Sequence, residues 1–180
     1  MKILFILPHY DFDDDEYFVT KGFLESKGLK TETASTHISE AEGRFRKIIK
    51  PDFAVDDVRA RDYDAFVFVG GPGAKELYHN TTVTNLVGDI LVSRKVIALI
   101  GEAVPILYYA NVLKGRQVTT LENLREEIED GGGYYTGTNM EQDGDLITGF
   151  DDRSTEAVAD AIVRGLAWQE DRTQREHLRK

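Results

Sequence analysis

The chain contains no cysteine. This absence excludes disulfide bonds, thiolate metal ligands and a cysteine nucleophile, and it fits a cytoplasmic protein. No apolar run approaches the roughly 20 residues that a membrane-spanning helix needs, so we expect no membrane association. The short apolar start is followed at once by polar and acidic residues, which argues against a signal peptide.

The chain has fewer positive than negative side chains, and its formal net charge over 180 residues is -10 at pH 7. An acidic chain attracts neither nucleic acid nor anionic membranes, so neither is expected as a partner. The Gly70-Gly71-Pro72-Gly73 stretch lacks the Gly-Lys-Ser/Thr ending of a phosphate-binding P-loop. Internal repeats and linker-like segments are missing as well. We therefore expect one domain over residues 1–168, followed by a charged C-terminal tail or helix extension over residues 169–180.

What the chain does have is an alternation of strand and helix patterns. The apolar runs at residues 2–7, 64–69 and 96–100 are typical of parallel strands buried on both faces. Amphipathic segments between them predict helices, and the alternation predicts an α/β fold, a three-layer sandwich with a mainly parallel central sheet. Ligands in such folds bind beyond the carboxyl ends of the strands, where the loops at 8–16, 70–73 and 101–103 are expected to meet.

Residues 96–107 predict a buried strand, a sharp turn at Gly101-Glu102-Ala103 and a helix. Strand-turn-helix junctions of this kind often present a catalytic nucleophile. This turn carries no Ser, Cys or Thr, so the question is whether it forms a working site.

Carboxylates offer one alternative chemistry. Asp13 and Glu16 lie near the start of the first predicted helix, and Glu102 lies in the turn. If they share a partly desolvated cleft, repulsion makes one of them hold a proton near neutral pH, which suits general acid/base work on a small carbonyl compound. With His9, the cluster is a candidate site for a hard cation or a transition metal. The plainer interpretation is a helix cap with solvated charge, and no metal or cofactor is expected.

Four stretches in order resemble the ThiJ/PfpI family of the class I glutamine-amidotransferase-like superfamily. They are residues 1–6 with Phe12, Asp13 and Glu16; Tyr63-Asp64-Ala65 leading into Gly70-Gly71; residues 96–100 joined to Leu113-Lys114-Gly115-Arg116 and Val118-Thr119; and Asp143-Gly144 leading to Thr148. The resemblance covers nearly all of residues 1–168.

This resemblance implies a flavodoxin-like sandwich and a homo-oligomer, a dimer or larger. Activities in the family include peptidase, glyoxalase-like, deglycase-like, chaperone-like and redox-sensing functions. Most of these use a cysteine on the elbow, often followed by histidine. Counting back from Leu113-Lys114-Gly115-Arg116, those two positions fall on Gly101 and Glu102, and the next two fall on Ala103 and Val104. The chain thus resembles the family in its scaffold and departs from it where the chemistry should lie.

An elbow holds its central residue in a strained conformation that costs a non-glycine residue about 1–3 kcal/mol, whereas glycine adopts it freely. The favoured hypothesis is therefore a cysteine-free pseudoenzyme with a small-molecule-binding, regulatory or chaperone-like role. Its elbow pocket would hold a carbonyl or anionic ligand and would be shaped by Gly101, Ala103, Gly70 and Gly71. By resemblance, Gly70 and Gly71 also help to form an oxyanion pocket, although a tight turn explains them equally well. The alternative is a thiol-independent hydrolase or lyase, of peptidase or glyoxalase type, using Glu102 with Asp13 or Glu16.

Overall fold

The structure is a computed structural model and describes residues 1–177. Its strands are β1 Lys2–Leu7, β2 Tyr10–Phe12, β3 Lys30–Ser35, β4 Ala41–Gly43, β5 Ile48–Ile49, β6 Phe53–Ala54, β7 Ala65–Phe68, β8 Val96–Ile100, β9 Gln117–Val118, β10 Tyr134–Tyr135, β11 Met140–Asp143 and β12 Leu146–Gly149. Its helices are α1 Asp14–Ser26, α2 Lys75–Tyr78, α3 Thr81–Val92, α4 Ile106–Tyr109, α5 Arg125–Asp130 and α6 Thr155–His177.

A central sheet organises the described residues, with the strand order β11-β12-β8-β7-β1-β3-β6. Every neighbouring pair in it is parallel except β11 and β12, which form a hairpin around Asp143-Gly144. Helices cover both faces. The predicted fold class, a three-layer flavodoxin-like α/β sandwich, is confirmed.

The two faces of the sheet bury two separate apolar clusters, as the two-residue side-chain period of a strand requires. Along β1, Leu4 and Ile6 belong to the cluster on the α3 side, while Ile3, Phe5 and Leu7 belong to the cluster under α1 and α6. All five side chains are fully buried. An unbroken apolar run is therefore what a central strand of this sandwich needs.

Local chemistry defines both ends of α1. Asp13 is its N-cap residue, accepting hydrogen bonds from the amides of Asp15 and Glu16, both at 3.0 Å. Gly28, just beyond the helix, has the left-handed φ of +78° that favours glycine after a helix end.

The last helix, α6, follows a short 3₁₀ turn and continues past residue 168. Ser154 lies in a short 3₁₀ turn before α6, and its hydroxyl donates to the Asp151 carbonyl. The helix then runs on to His177, so residues 169–177 continue it, and residues 178–180 lie outside the described residues. The division into one domain and an extension stays a prediction. None of the helices in residues 1–177 combines the length and apolar character that crossing a bilayer requires.

Candidate functional site

The turn after β8 has the geometry of a nucleophile elbow. Gly101 follows the strand directly and has a φ of +52°, in the left-handed region. The Thr120 hydroxyl donates to the Gly101 carbonyl oxygen at 2.8 Å and fixes the turn from the neighbouring segment. Ala103 is fully buried in the core beneath the turn. The strained position predicted from the sequence therefore exists, and a glycine occupies it.

The space beside Gly101 is filled by a carboxyl group. A Cβ atom built on Gly101 would lie 2.7 Å from Oε1 of Glu16. That separation is shorter than ordinary contact, so Glu16 would have to shift before any side chain could stand at position 101. The place that a nucleophile would take on this turn is taken by the acid from the first turn of α1.

Glu16 is buried, with only 1% of its surface exposed. Its Oε2 accepts a hydrogen bond from the Gly70 amide at 2.5 Å. Burial, reinforced by the charges of Asp13, Glu102 and Asp152, raises the pKa of Glu16 well above its usual value, and the Gly70 amide offsets part of this. The arrangement favours the neutral, protonated acid.

Asp13 connects the start of α1 to two other segments. Its Oδ2 lies 2.8 Å from Nη2 of Arg44, which is also 3.5 Å from Oδ2 of Asp152. Its own amide donates to the Gly70 carbonyl at 3.0 Å. Burial raises the pKa of Asp13, although the Glu16 amide and the Arg44 guanidinium oppose that rise. The cap expected from the sequence is therefore also the buried member of a charge network.

Glu102 is partly exposed, unlike the other two acids. Its Oε2 accepts from the Gly71 amide at 3.2 Å, and its backbone carbonyl accepts from the Tyr78 hydroxyl at 2.5 Å. The three predicted carboxylates thus converge on one region, as the influence of Asp13 and Glu102 on Glu16 also indicates. Each is held by backbone amides or by a cation.

Gly70 and Gly71 combine the two roles that the sequence left open. A Cβ on Gly70 would lie 2.5 Å from the Ile100 carbonyl oxygen, and one on Gly71, whose φ is +93°, would lie 2.5 Å from that of Asp11. Close backbone approach therefore requires both glycines. Their amides point into the site, where Glu16 and Glu102 already accept from them.

His9 does not join the acidic cluster. It is largely buried, its amide donates to Oε2 of Glu76 at 3.0 Å, and its ring packs against Tyr10 and His37. Within residues 1–177, no three His, Asp or Glu side chains are placed to hold a metal ion. The candidate metal site of His9, Asp13 and Glu16 is therefore not formed in this part of the chain.

Arg44 and Asp152 are the members of the site that the sequence did not reveal. Arg44 is carried by the β4–β5 hairpin, which is docked on α1 where the buried Asp14 accepts from the Phe45 amide at 2.8 Å. A Cβ on Gly43 would lie within 2.4 Å of the Asp14 carboxylate. The sequence shows only Gly43-Arg44 in an irregular segment. Their role in the site becomes visible only when the hairpin is packed against α1.

Comparisons with known proteins identify the family to which this chain belongs. The sequence profile of the DJ-1/PfpI family matches residues 1–164. An uncharacterized protein of Methanocaldococcus jannaschii is 34% identical over 150 residues, which cover 82% of this chain and 73% of the relative. Deglycase PfpI of Pyrococcus furiosus is 26% identical over 148 residues, covering 82% and 89%.

A crystal structure of a ThiJ/PfpI domain protein from Brachyspira murdochii is similar with a TM-score of 0.89 and 31% identity, covering 92% of this chain and 96% of that one. Profile, relatives and fold therefore agree with the resemblance seen in the sequence. The chain belongs to the DJ-1/PfpI family and is a member without cysteine.

Proposed function

We propose that the protein binds a small carbonyl compound at the elbow and does not perform cysteine-dependent hydrolase, glyoxalase or deglycase chemistry. The observation that carries the proposal is the placement of Glu16. Its carboxyl group fills the space beside Gly101 and takes the Gly70 amide. A site arranged in this way has neither the nucleophile nor a free Gly70 donor for a developing oxyanion.

The position of Glu102 indicates which kind of ligand the site accepts. Because it is partly exposed and held by a single 3.2 Å bond from the Gly71 amide, a ligand oxygen could replace it there. The incoming group must accept a hydrogen bond. The surrounding carboxylates Asp13 and Asp152 disfavour an anion, so a neutral carbonyl suits the site better than a carboxylate. The binding role proposed here is regulatory or chaperone-like in kind.

The test measures turnover and binding on the same preparations. We expect purified protein to consume methylglyoxal or peptide substrates no faster than buffer, while small dicarbonyl compounds bind in calorimetric titrations. Replacing Glu102 with glutamine should alter that affinity, and the matched change Glu126→Gln on the exposed face of α5 should not. Turnover that Glu102→Gln abolishes would overturn the proposal.

One observation favours a second candidate, a thiol-independent hydrolase or lyase. A buried acid whose pKa is raised by burial, Glu16, lies near a partly exposed carboxylate, Glu102. Such a pair resembles the general acid and base of enzymes that work on carbonyl compounds. It predicts turnover that falls at high pH, where Glu16 loses its proton. Glu16→Gln should remove that fall, and Glu102→Gln should abolish turnover. A rate that does not respond to pH or to either variant would dismiss it.

We further propose that the protein acts in the cytoplasm as a homo-oligomer. Exposed apolar side chains on the small sheet formed by β2, β4 and β5 support an interface between copies, because Tyr10, Phe45 and Ile48 are 60%, 59% and 52% exposed. Size-exclusion chromatography with light scattering should find a dimer or larger, and Phe45→Ser with Ile48→Ser should shift it to a monomer. A monomeric parent protein would refute this assignment.

A further inference from the structure

A second concave region lies far from the elbow. It is a groove of about 850 Å³ at the amino ends of β8 and β12, between the end of α3, the β11–β12 hairpin and α6. The elbow follows the other end of β8, so the length of that strand, roughly 16 Å, separates the two regions. Nothing in the proposed elbow function uses this groove.

The groove is basic although the chain is acidic. In the described part of the chain its lining includes Arg94, Arg116, Arg164 and Arg172, with Asp145 as the carboxylate among them. The net charge of the whole chain is -10. An excess of guanidinium groups in one groove of such a chain concentrates positive potential where the rest of the surface repels anions.

Two of these arginines have no carboxylate partner among the side chains that the structure describes. Arg116 is 3.8 Å from Asp143, and Arg164 pairs with Asp160 one turn earlier on α6. Among the side chains that the structure describes, Arg94 and Arg172 face no carboxylate as a salt-bridge partner. The planar guanidinium fork of arginine matches the oxygen geometry of phosphate groups.

An exposed aromatic ring lies among these charges. Trp168 is 59% exposed, and the Arg172 guanidinium lies 4.9 Å from the centre of its ring. Arg164, Trp168 and Arg172 follow one another at intervals of four residues, so they share one face of α6. An exposed indole beside guanidinium groups offers a flat surface on which a nucleic-acid base can stack.

We propose that this groove binds a nucleoside phosphate, with Arg94 and Arg172 holding the phosphate groups and Trp168 stacking on the base. The volume falls within the range of small-molecule sites. A long polyanion such as RNA fits poorly, because the acidic surface beyond the groove repels it. A second copy of the chain fits poorly too, because a two-fold contact here would bring the arginines of both copies together.

Trp168 is the only tryptophan in the sequence, so its fluorescence reports on this groove alone. We expect ADP to quench it saturably, with an affinity that falls as salt rises. Adenosine, which lacks phosphate, should bind more weakly than ADP by about tenfold or more. Pyrophosphate should compete with ADP although it has no ring to stack. Calorimetry on the same samples gives a second reading of each affinity.

The variant Arg94→Gln with Arg172→Gln should weaken ADP binding about tenfold or more. The matched control is Arg61→Gln, an exposed arginine outside the groove, which should leave it unchanged. Circular dichroism confirms that each variant folds. Absence of saturable quenching at millimolar ADP and low salt would overturn the proposal, as would equal affinity in the double variant. Quenching that depends on protein concentration and not on ADP would assign the groove to contact between copies and likewise overturn it.

Discussion

Replacing Gly101 with alanine adds a single methyl group where the elbow meets Glu16. The new Cβ would stand 2.7 Å from Oε1 of Glu16, closer than the roughly 3.5 Å of ordinary contact. Glu16 must then move, and its other oxygen is bonded to the Gly70 amide. We expect the carboxyl group to turn away at the expense of that hydrogen bond.

The magnitude has two parts. A left-handed φ, here +52°, costs a non-glycine residue about 1–2 kcal/mol. Weakening the Glu16–Gly70 hydrogen bond adds about 0.5–1.5 kcal/mol. The variant Gly144→Ala measures the backbone part alone, because Gly144 has a φ of +64° and a Cβ built there meets no other atom within 4 Å. Gly101→Ala should therefore lower the free energy of unfolding by about 1.5–3.5 kcal/mol, and Gly144→Ala by about 1–2 kcal/mol.

Urea unfolding measures both variants, and a double-mutant cycle with Glu16→Asp isolates the contact. Aspartate is one methylene shorter and withdraws from position 101. In that background Gly101→Ala should cost no more than Gly144→Ala. If the two alanine variants are equally destabilised while Glu16 is intact, the carboxyl group does not fill the place of the nucleophile and the reasoning fails.

Two more predictions concern the charges around the elbow. Because the pKa of Glu16 is raised by folding, its contribution to stability is complete below the ordinary glutamate pKa and is lost as pH rises towards the folded value. In urea titrations, the free energy of unfolding of Glu16→Gln should therefore rise relative to that of the parent protein as pH rises, by up to about 1.4 kcal/mol per pH unit in that window. A difference that stays constant with pH would contradict this. Arg44→Gln should lower the free energy of unfolding by about 1–3 kcal/mol at neutral pH, because Asp13 stays buried without its cation, and by less at acidic pH, where Asp13 is protonated. The exposed control Arg46→Gln should leave it essentially unchanged, and equal losses in both variants would count against the role of Arg44.

The central sheet could be predicted from the sequence because its central strands are buried on both faces. The run at Lys2–Leu7 has no polar residue after the lysine, and the structure buries it between two layers. The cap at Asp13 and the stop at Gly28 also depend on local chemistry, which a sequence displays directly.

The site was harder to foresee because its contacts join distant segments. The spacing from Leu113 back to Gly101 located the elbow, yet no pattern indicated that Glu16 would fill the space above it. Arg44 lies in an irregular hairpin, and its pairing with Asp13 depends on how that hairpin packs on α1. The glycines at 70 and 71 were named from the sequence, but the acceptors of their amides, Glu16 and Glu102, follow from tertiary packing.

Asp13 also bears on how this end of the molecule opens. Its side chain and amide tie the start of α1 to Arg44 in the hairpin and to the Gly70 carbonyl, and Arg44 extends the link to Asp152. Detaching the hairpin or the Gly70 segment would leave the buried carboxylate or the amide of Asp13 without its partner, so partial opening is unfavourable. The elbow end should behave as one cooperative unit in native-state hydrogen exchange, with the amides of Asp13, Glu16 and Gly70 losing protection together.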